Sequence, residues 1–456
     1  MKLTNKQIFW LLFAVCVLTL LPFMGLTEYN TKGEPREAIV AYSILDTGNW
    51  ILPLNSGGDT PFKPMFFYWV VAAVSYILGG VTEFTSRVPS VLSLTAVVVT
   101  TFLFYARRRP RAEGIITALI CMLCMEMHKT GSICRIDMLL TALTIGAFYM
   151  FYRWYEQGIK RIPFIAIILM ALGTFAKGPV GFIIPCAVIG LFLLLKGKNF
   201  WSVCWKLLLC AIIAFIPFAV WLYFACKMPG GQELYDMLYE ENVGRMLHAM
   251  GYKSCVEPWW FTTITLVYGL VPFTVIALFS LFSLNHVKHL QCCTDQPVVK
   301  RFVSWFKHLD DVTMYSFIGS VLILVFYTIP ESKRSSYILP MYSFVAYFIA
   351  KLMIWLAENN KKSLTYYTDF LSVCGLLMFV AYIVCKIKII PETLFEGKHA
   401  ADNIATLNAI GDISSWWEII LILIPTFVCG YWWVFRKSNQ IGHKFNAYYF
   451  INIHSN

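Results

Sequence analysis

Charged residues are scarce in this chain. Only 14% of its 456 residues are Asp, Glu, Lys or Arg, whereas 58% are hydrophobic and 16% aromatic, and the mean hydropathy is +0.64. A soluble domain carries about 25% charged residues, so this composition excludes an ordinary soluble globular protein. The apolar surplus is too large for a single membrane anchor and predicts an all-α polytopic membrane protein.

Other absences narrow the class further. Of the 14 cysteines, only Cys121 and Cys124 approach metal-ligand spacing, and both lie inside an apolar run, so neither a zinc site nor a disulfide framework is indicated. No small-residue cleavage site follows the first apolar run, which ends near Leu21, and this run is therefore expected to remain as a helix. The formal net charge of +11 is concentrated in short loops between apolar runs, which indicates membrane topology and argues against nucleic-acid binding.

Apolar runs recur along the whole chain, and a helix needs about 20 such residues to cross the hydrocarbon of a bilayer. The expected spans lie near residues 7–26, 89–106, 113–128, 136–152, 162–176, 178–195, 206–226, 259–283, 313–329, 337–357, 365–386 and 416–435. A further run, 66–82, is short and aromatic. If it does not cross, the basic loops, including 107–111, all lie on one side, which is cytoplasmic by the positive-inside rule. We therefore expect 12 spans with both termini inside and 66–82 as an interfacial or re-entrant helix, with 13 spans as the alternative.

This topology places a second set of charged residues outside the cytoplasm, at or just beyond helix ends. They are Glu34, Lys63, Asp137, Lys177, Glu240, Glu241, Arg245 and Lys333. Several belong to two long outer loops, 27–88 and 227–258, the first of which is expected to carry juxtamembrane helices. Polar residues also collect at helix ends for structural reasons, and for each residue taken alone that interpretation stays open.

Three of these motifs have chemistry suited to group transfer. Asp137, at the outer end of a span, has a carboxylate that can orient an acceptor or accept its proton, with an ion pair to Arg135 as the structural alternative. Lys177, in a Lys-Gly-Pro turn, offers a compact positive charge suited to phosphate, with snorkelling to the interface as the alternative. The loop 330–337 has two adjacent bases and three serine hydroxyls, a mixture that favours an anionic headgroup.

Several motifs recur in the same order in one group of membrane enzymes. They are Glu34-Pro35-Arg36, Gly48-Asn49-Trp50, Lys63-Pro64 before an aromatic run, Ser86-Arg87-Val88-Pro89-Ser90, Arg135-x-Asp137-Met138, Lys177-Gly178-Pro179-Val180-Gly181, and Ser332-Lys333 leading to Tyr337-Ile338-Leu339-Pro340. On these motifs the chain resembles the GT-C membrane glycosyltransferases, in particular bacterial lipid A aminoarabinose transferases and the protein O-mannosyltransferase-like enzymes of the dolichyl-phosphate-mannose-protein mannosyltransferase superfamily. The resemblance covers about residues 10–350. A catalytic membrane module is thus expected over 1–350, and C-terminal helices with a short tail over 351–456, without a large soluble C-terminal domain.

The resemblance implies the GT-C fold and an inverting glycosyltransferase. Its donor would be a sugar on a polyprenyl phosphate, undecaprenyl phosphate in bacteria, and its acceptor lipid A or another glycolipid first, and a protein hydroxyl second. The implied location is the bacterial inner membrane, with the N-terminus cytoplasmic and the active site on the periplasmic face. The implied catalytic carboxylates are Glu34 and Asp137. Because a phosphate leaving group needs cationic stabilisation more than a general acid, the implied donor ligands are Arg36, Lys63, Lys177, Arg245 and Lys333.

The chain departs from the family pattern at three positions. Phe62 stands where members often have Glu before Lys-Pro, and Glu241 stands where many have a histidine. Those two positions are implicated in metal binding in the aminoarabinose transferases, so no cofactor is firmly expected, and a divalent metal would retain at most Glu241 as an oxygen ligand. The acid pair often found as Asp-Glu reads Gly33-Glu34 here, so Glu34 carries the catalytic role alone or shares it with Glu37.

Two other functions would leave different signatures in the sequence. A transporter or flippase of lipid-linked sugars tends to show inverted repeats and ionisable groups near the midplane of the membrane. The sequence has no clear internal repeat, and its charges lie at one surface, with Glu126 as the best exception. A ligase or polymerase that moves whole glycans from a diphosphate carrier is disfavoured only by the family resemblance.

Overall fold

The computed structural model describes residues 3–29, 31, 33–55, 58–61, 63–244, 256–280, 306, 308–359, 361–395, 404, 407–408, 410–411 and 416–436. Within these ranges the regular secondary structure is helical, apart from one isolated antiparallel bridge between Val256 and Ser332. The α-helices are α1 (Asn5–Leu20), α2 (Gly33–Thr47), α3 (Phe66–Ile77), α4 (Glu83–Ala106), α5 (Arg111–Leu123), α6 (Met125–Gly131), α7 (Ile136–Glu156), α8 (Phe164–Lys177), α9 (Val180–Leu195), α10 (Phe200–Ala225), α11 (Gly231–Tyr239), α12 (Phe261–Gly269), α13 (Val275–Ser280), α14 (Asp311–Thr328), α15 (Leu339–Asn359), α16 (Lys361–Lys386) and α17 (Trp416–Arg436). A π-helical turn, Glu240–Gly244, follows α11, and 3-10 turns are formed by Leu21–Phe23, Ser335–Ile338 and Glu392–Leu394.

The chain divides into two compact units. The first comprises residues 1–274 and 293–352, and the second comprises 275–292 and 353–456. In the first unit, α7 packs against α4, α8 and α9, and α10 packs against α8 and α9. In the second unit, α16 packs against α13 and α17.

Several helices have the length and composition of membrane spans. Six described helices meet this criterion: α1 with its following turn, α4, α10, α14, α15 with its preceding turn, and α16. The number becomes seven if α6 and α7, which are bent by 116° at their junction, form one broken span. The chain is thus a multi-pass membrane protein, but the described residues do not reach the expected 12 or 13 spans by this criterion, since α3, α8 and α9 are shorter apolar helices.

Two of the expected spans are not continuous helices. The run 113–128 is interrupted at Cys124, whose backbone is extended between α5 and α6, and the run 259–283 is divided between α12 and α13. The backbone N–H of Met125 donates to the carbonyl of Val271 at 3.0 Å. This hydrogen bond satisfies one backbone group at each of the two interruptions. Apolar composition does not reveal such an interruption, because the partner that satisfies the backbone is distant in sequence.

The aromatic run 66–82 forms the short helix α3. Its 12 residues extend about 18 Å at 1.5 Å per residue, against about 30 Å of hydrocarbon, which favours the interpretation that this run does not cross. Phe66 and Trp69 lie against Phe175 near the end of α8, with ring centroids 6.4 and 4.8 Å apart. The indole N–H of Trp69 donates to the carbonyl of Trp50 at 2.6 Å. The segment between α1 and α4 is thereby docked onto α8.

Candidate functional site

A polar cavity lies where the start of α2, the start of α7 and the end of α8 meet the neighbouring loops. It is lined by Arg36, Glu37, Lys63, Arg135, Ile136, Asp137, Lys177, Glu241, Arg334 and Tyr337. Five of these side chains are cationic and three are anionic, so the lining has a formal charge of +2. The fold therefore brings together six residues that the sequence indicated from distant segments: Arg36, Glu37, Lys63, Asp137, Lys177 and Glu241.

The ends of α7 and α8 bring Asp137 and Lys177 into contact. Asp137 is the second residue of α7, and Lys177 is the last residue of α8, so the carboxylate lies at the positive end of one helix dipole and the ammonium at the negative end of the other. The two form a salt bridge. Ser336 lies beside Asp137, and Lys177 Nζ lies 4.3 Å from the ring centroid of Tyr337. Because Asp137 is only 7% exposed, water screens this pair weakly.

The turn after Lys177 requires a glycine. Gly178 has a φ of +88° at the end of α8, a backbone conformation that glycine adopts readily. A Cβ atom at this position would lie 2.8 Å from Oδ1 of Asn242. The Lys-Gly-Pro motif therefore fixes the direction of Lys177 and lets the turn Glu240–Gly244 pack directly against it.

A second salt bridge joins the segment between α2 and α3 to that same turn. Lys63 contacts Glu241, and the side chains are 17% and 12% exposed. The ammonium group of Lys63 is thus paired with the carboxylate of Glu241, the remaining candidate metal ligand. Among the residues that the structure describes, no group of three or more His, Cys, Asp or Glu side chains is placed to hold a metal ion. Within the described ranges, Glu241 therefore belongs to no such group.

The first turn of α2 presents Arg36 and Glu37 to the cavity. Nη2 of Arg36 donates to Oε1 of Glu37 at 2.9 Å, and Glu37 is only 2% exposed. Tyr68 of α3 lies beside the same carboxylate. On the inner side of α2, Ala41 and Ile44 are fully buried in a hydrophobic core shared with α3, so the helix is held rigidly behind these two charged groups.

Glu34 lies behind the cavity wall instead of lining it. It is fully buried, and its Oε1 accepts from Nε of Arg87 at 2.8 Å and from the backbone N–H of Cys134 at 2.9 Å. Arg87 is 2% exposed and also donates to three backbone carbonyls within residues 24–28. Glu34 therefore ties the start of α2 to α4 and to the bend between α6 and α7. Its implied catalytic role stays a prediction, and this position favours a structural one.

The two remaining implied phosphate ligands are placed differently. Lys333 is 5% exposed and does not line the cavity; its Nζ donates to the carbonyl of Glu257 at 2.9 Å, beside the Val256–Ser332 bridge. Its neighbour Arg334 lines the cavity instead. Arg245 lies outside the described residues.

Arg135, Arg334 and Tyr337 also line the cavity. The sequence indicated Arg135 only as an ion-pair partner for Asp137, Arg334 only as one of two adjacent bases in the loop 330–337, and Tyr337 only as part of a motif. Motif membership was the available signal for Arg135 and Tyr337, and Arg334 adjoins a motif lysine. The sequence did not show which of these side chains point toward the cavity. Arg334 has an extended backbone, and successive side chains of an extended segment point to opposite sides, so either Lys333 or Arg334 would reach the cavity, but not both.

Both the sequence and the fold of this chain resemble those of known proteins. A model of the family described as dolichyl-phosphate-mannose-protein mannosyltransferase matches residues 62–224. The undecaprenyl phosphate-alpha-4-amino-4-deoxy-L-arabinose arabinosyl transferase of Shewanella sediminis is 23% identical over 356 residues, which cover 76% of this chain and 60% of that protein. The transferase of the same name from an Enterobacter species is 22% identical over 358 residues, covering 75% and 58%. The chain spans about three fifths of the length of these curated relatives.

A solved structure shares the fold. The crystal structure of ArnT from Cupriavidus metallidurans bound to undecaprenyl phosphate superimposes with a TM-score of 0.68 over 93% of this chain and 72% of that chain, at 16% sequence identity. The apo state of the same protein gives a TM-score of 0.62 over 81% and 64%. The helical arrangement described above is therefore similar to that of ArnT.

Proposed function

We propose that this chain, a GT-C membrane protein of the aminoarabinose transferase and protein mannosyltransferase type, moves one sugar from a polyprenyl-phosphate donor to an acceptor outside the cytoplasm. One observation carries the proposal: Lys63 and Lys177 lie in a single confined cavity, each held by a carboxylate, Glu241 or Asp137. Cations fixed in advance at a water-poor site are what a departing phosphate requires. The undecaprenyl phosphate named for the relatives and for the ArnT structure supports this donor class.

The cations act on the charge that develops during the reaction. As the bond from the anomeric carbon to the phosphate oxygen breaks, negative charge accumulates on the phosphate, and fixed positive groups stabilise it more than they stabilise the ground state. We assign Lys63, Lys177 and Arg36 to this phosphate, with Arg334 as a further donor at the cavity wall. Arg245 is proposed from its motif alone.

The acceptor attacks the anomeric carbon from the side opposite the phosphate, so a single displacement inverts the configuration there. Asp137 adjoins Lys177 and therefore the proposed phosphate position. We assign it to holding Lys177 in place and to orienting the acceptor. This arrangement supplies positioning as well as charge stabilisation, which together account for most of the barrier reduction in such transfers.

The acceptor is proposed to be a glycolipid, with lipid A first and a protein hydroxyl second, and the site is proposed to face the periplasm of a bacterial inner membrane. The support is the distribution of charge in the sequence. The basic loops, which the positive-inside rule assigns to the cytoplasmic side, alternate with the helix ends that build the cavity. The same alternation supports a cytoplasmic N-terminus.

Turnover in detergent tests the proposal. Purified full-length protein is incubated with undecaprenyl-phosphate sugars and extracted envelope lipids, and mass spectrometry follows both products. The expected result is release of undecaprenyl phosphate together with a lipid heavier by one sugar residue. A protein that binds the donor, leaves it intact in detergent and moves it between leaflets of liposomes would be a transporter. Comparing lipid A from cells with and without the gene then identifies the acceptor.

A further inference from the structure

We propose that Glu126 and Thr265 form a binding site for a small monovalent cation such as sodium, at the point where two interrupted helices meet. Neither residue lines the polar cavity. The inference goes beyond the proposed function and does not depend on it. It gives the cation the task of holding the two interrupted helices together behind the cavity wall.

The site lies where two apolar runs lose their helical backbone. The first interruption is at Cys124, between α5 and α6, and the second separates α12 from α13. The hydrogen bond from Met125 to Val271 places the two interruptions side by side. Interrupted helices are a recurrent setting for sodium sites in membrane proteins, because carbonyl groups freed from the helix can coordinate the ion.

Glu126 brings a carboxylate to this meeting point. It is the second residue of α6 and is only 1% exposed, and α6 together with α7 forms a candidate broken span. Its Oε2 is buried and has no hydrogen-bond partner among the described residues. An ionisable side chain within a span is costly and generally serves a function, so this carboxylate needs a partner.

Lys129 is an incomplete partner for this carboxylate. Its Nζ lies 3.6 Å from Oε2 of Glu126, which is too far for a hydrogen bond, and its side chain is 54% exposed. Most of the lysine side chain is therefore outside the buried site. Because a lysine side chain is long and flexible and can extend toward water, Lys129 can move away when a cation binds to Oε2.

Helix α12 presents neutral oxygen atoms on the side that faces Glu126. Gly269 lies against Glu126, because a Cβ atom there would be 3.0 Å from Cβ of Glu126 and 2.0 Å from the hydroxyl oxygen of Tyr342. Thr265 and Thr262 lie one and two turns before Gly269, on the same helical face. Both threonine hydroxyls are buried without a hydrogen-bond partner among the described residues. This face of α12 therefore carries two unsatisfied hydroxyl groups.

These groups match the coordination chemistry of one class of ligand. Carboxylate, hydroxyl and carbonyl oxygens form the donor set that hard cations prefer. The single carboxylate of Glu126 balances one positive charge, whereas a divalent ion would leave an excess charge where water screens weakly. Thr265 is the assigned hydroxyl ligand because it is nearer to Gly269 along α12 than Thr262 is.

The cation connects the interrupted helices to the wall of the polar cavity. Helix α6 packs against α12, against α7 and against the 3-10 turn Ser335–Ile338, and α12 packs against the same turn. That turn contributes Tyr337 to the cavity, and the start of α7 contributes Asp137. An ion that links α6 to α12 therefore stabilises the elements that hold these two side chains.

The thermal stability of the full-length protein in detergent tests the inference. Sodium, potassium and choline chlorides are compared at constant ionic strength, with a chelator present so that divalent ions do not contribute. We expect sodium to raise the melting temperature saturably, by about 3 °C or more relative to choline, because a ligand that binds the folded state stabilises it. This measurement uses the wild type and does not require any variant to fold.

Two substitutions locate the effect within the molecule. Glu126→Gln removes the charge, and Thr265→Val removes the hydroxyl with little change in size. Each should weaken sodium binding by about tenfold or more, since even the loss of a residue that only supports a ligand lowers metal affinity by about 10- to 100-fold. Glu233→Gln, at an exposed position in α11, is the matched control and should respond to sodium as the wild type does.

Three results would overturn the inference. Equal melting temperatures in sodium, potassium and choline would show that water alone satisfies these oxygen atoms. A sodium response that survives both substitutions would place the ion elsewhere. A stability that depends on pH through Glu126 but on no cation would replace the cation by a proton. None of these results bears on the proposed sugar transfer, which is measured separately.

Discussion

Helix α7 has a cluster of ion pairs at each end, and the two clusters differ in kind. Its 21 residues place the ends about 30 Å apart at 1.5 Å per residue. At the start, Asp137 belongs to the polar cavity. At the far end, a second cluster joins the ends of four helices through Arg108–Glu156 at 2.6 Å, Arg109–Asp310 at 3.2 Å and Lys196–Asp311 at 2.5 Å.

The difference lies in exposure to water. At the far end, the side chains of Glu156 and Asp311 are 39% and 43% exposed, whereas in the cavity those of Glu241 and Asp137 are 12% and 9% exposed. Asp310 illustrates the far cluster: burial alone would raise its pKa, but hydrogen bonds from Thr313 and the charge of Arg109 hold the pKa below its usual value.

The far cluster fits the interpretation in which polar residues collect at helix ends and connect neighbouring helices. Charge pairs screened by water contribute little, and confined pairs interact strongly. The effect of breaking each of these pairs should therefore decrease from the most buried pair to the most exposed.

The most buried pair, Glu34–Arg87, should give the largest loss of folded protein. Glu34→Gln leaves the Arg87 guanidinium in a nearly water-free position without a counter-charge, and breaking such a pair costs about 3–5 kcal/mol. We expect the variant to accumulate poorly and to melt well below the wild type in detergent, as measured by fluorescence-detected size exclusion after heating. A Glu34→Gln protein that is as stable as the wild type but inactive would instead restore the catalytic role that the family resemblance implies for Glu34.

The Asp137–Lys177 pair should give the largest loss of activity in a protein that still folds. Lys177→Gln removes a positive charge from the proposed phosphate position, and removal of one such stabilising group lowers kcat by about 10²- to 10³-fold. Lys198→Gln, at an exposed position after α9, is the matched control and should behave as the wild type. The measurement is steady-state kinetics with an undecaprenyl-phosphate sugar. Equal rates for the two variants would show that Lys177 does not contribute to the reaction.

The sequence predicts well which segments come together at the site. It predicts less well which of their side chains face the site. The order of charged motifs identified Lys63, Asp137, Lys177 and Glu241, because a positive-inside topology brings alternate helix ends to the same side. It also identified the helical class, since apolar runs of this number leave no other way to satisfy the backbone in a membrane.

The sequence could not predict which way a side chain points or whether an apolar run forms one continuous helix. Glu34 and Glu37 are separated by less than one helical turn, yet the first faces Arg87 and the second faces the cavity, and only the packing of α2 on α3 and α4 determines which is which. The sequence does not reveal the interruption at Cys124, because it depends on a hydrogen bond to Val271, which lies between α12 and α13. In both cases the deciding contact is made by a residue that is distant in sequence.

The Lys63–Glu241 pair is more exposed, and its two halves should respond in opposite directions. Lys63→Gln removes a phosphate ligand and should weaken the binding of undecaprenyl phosphate by about tenfold, the equivalent of roughly 1.4 kcal/mol. Glu241→Gln removes the carboxylate that competes with phosphate for the same ammonium, and should tighten binding severalfold. Binding is measured by thermal shift against lipid concentration at two salt concentrations. Weakened binding in both variants would show that Glu241 positions Lys63 instead of competing for it.

The far pair, Arg108–Glu156, should give the smallest effect of all. Arg108 donates to both carboxylate oxygens of Glu156 at 2.6 Å, a geometry that on distance alone would suggest a strong interaction. Glu156 is 39% exposed, however, and Arg108 keeps other contacts, with the carbonyl of Phe104 and the ring of Tyr152. Glu156→Gln should therefore lower stability by no more than about 1 kcal/mol and leave kcat within about twofold of the wild type. A loss of activity comparable to that of Lys177→Gln, without a loss of stability, would mean that the two ends of α7 are coupled and that exposure does not separate a structural cluster from a functional one in this protein.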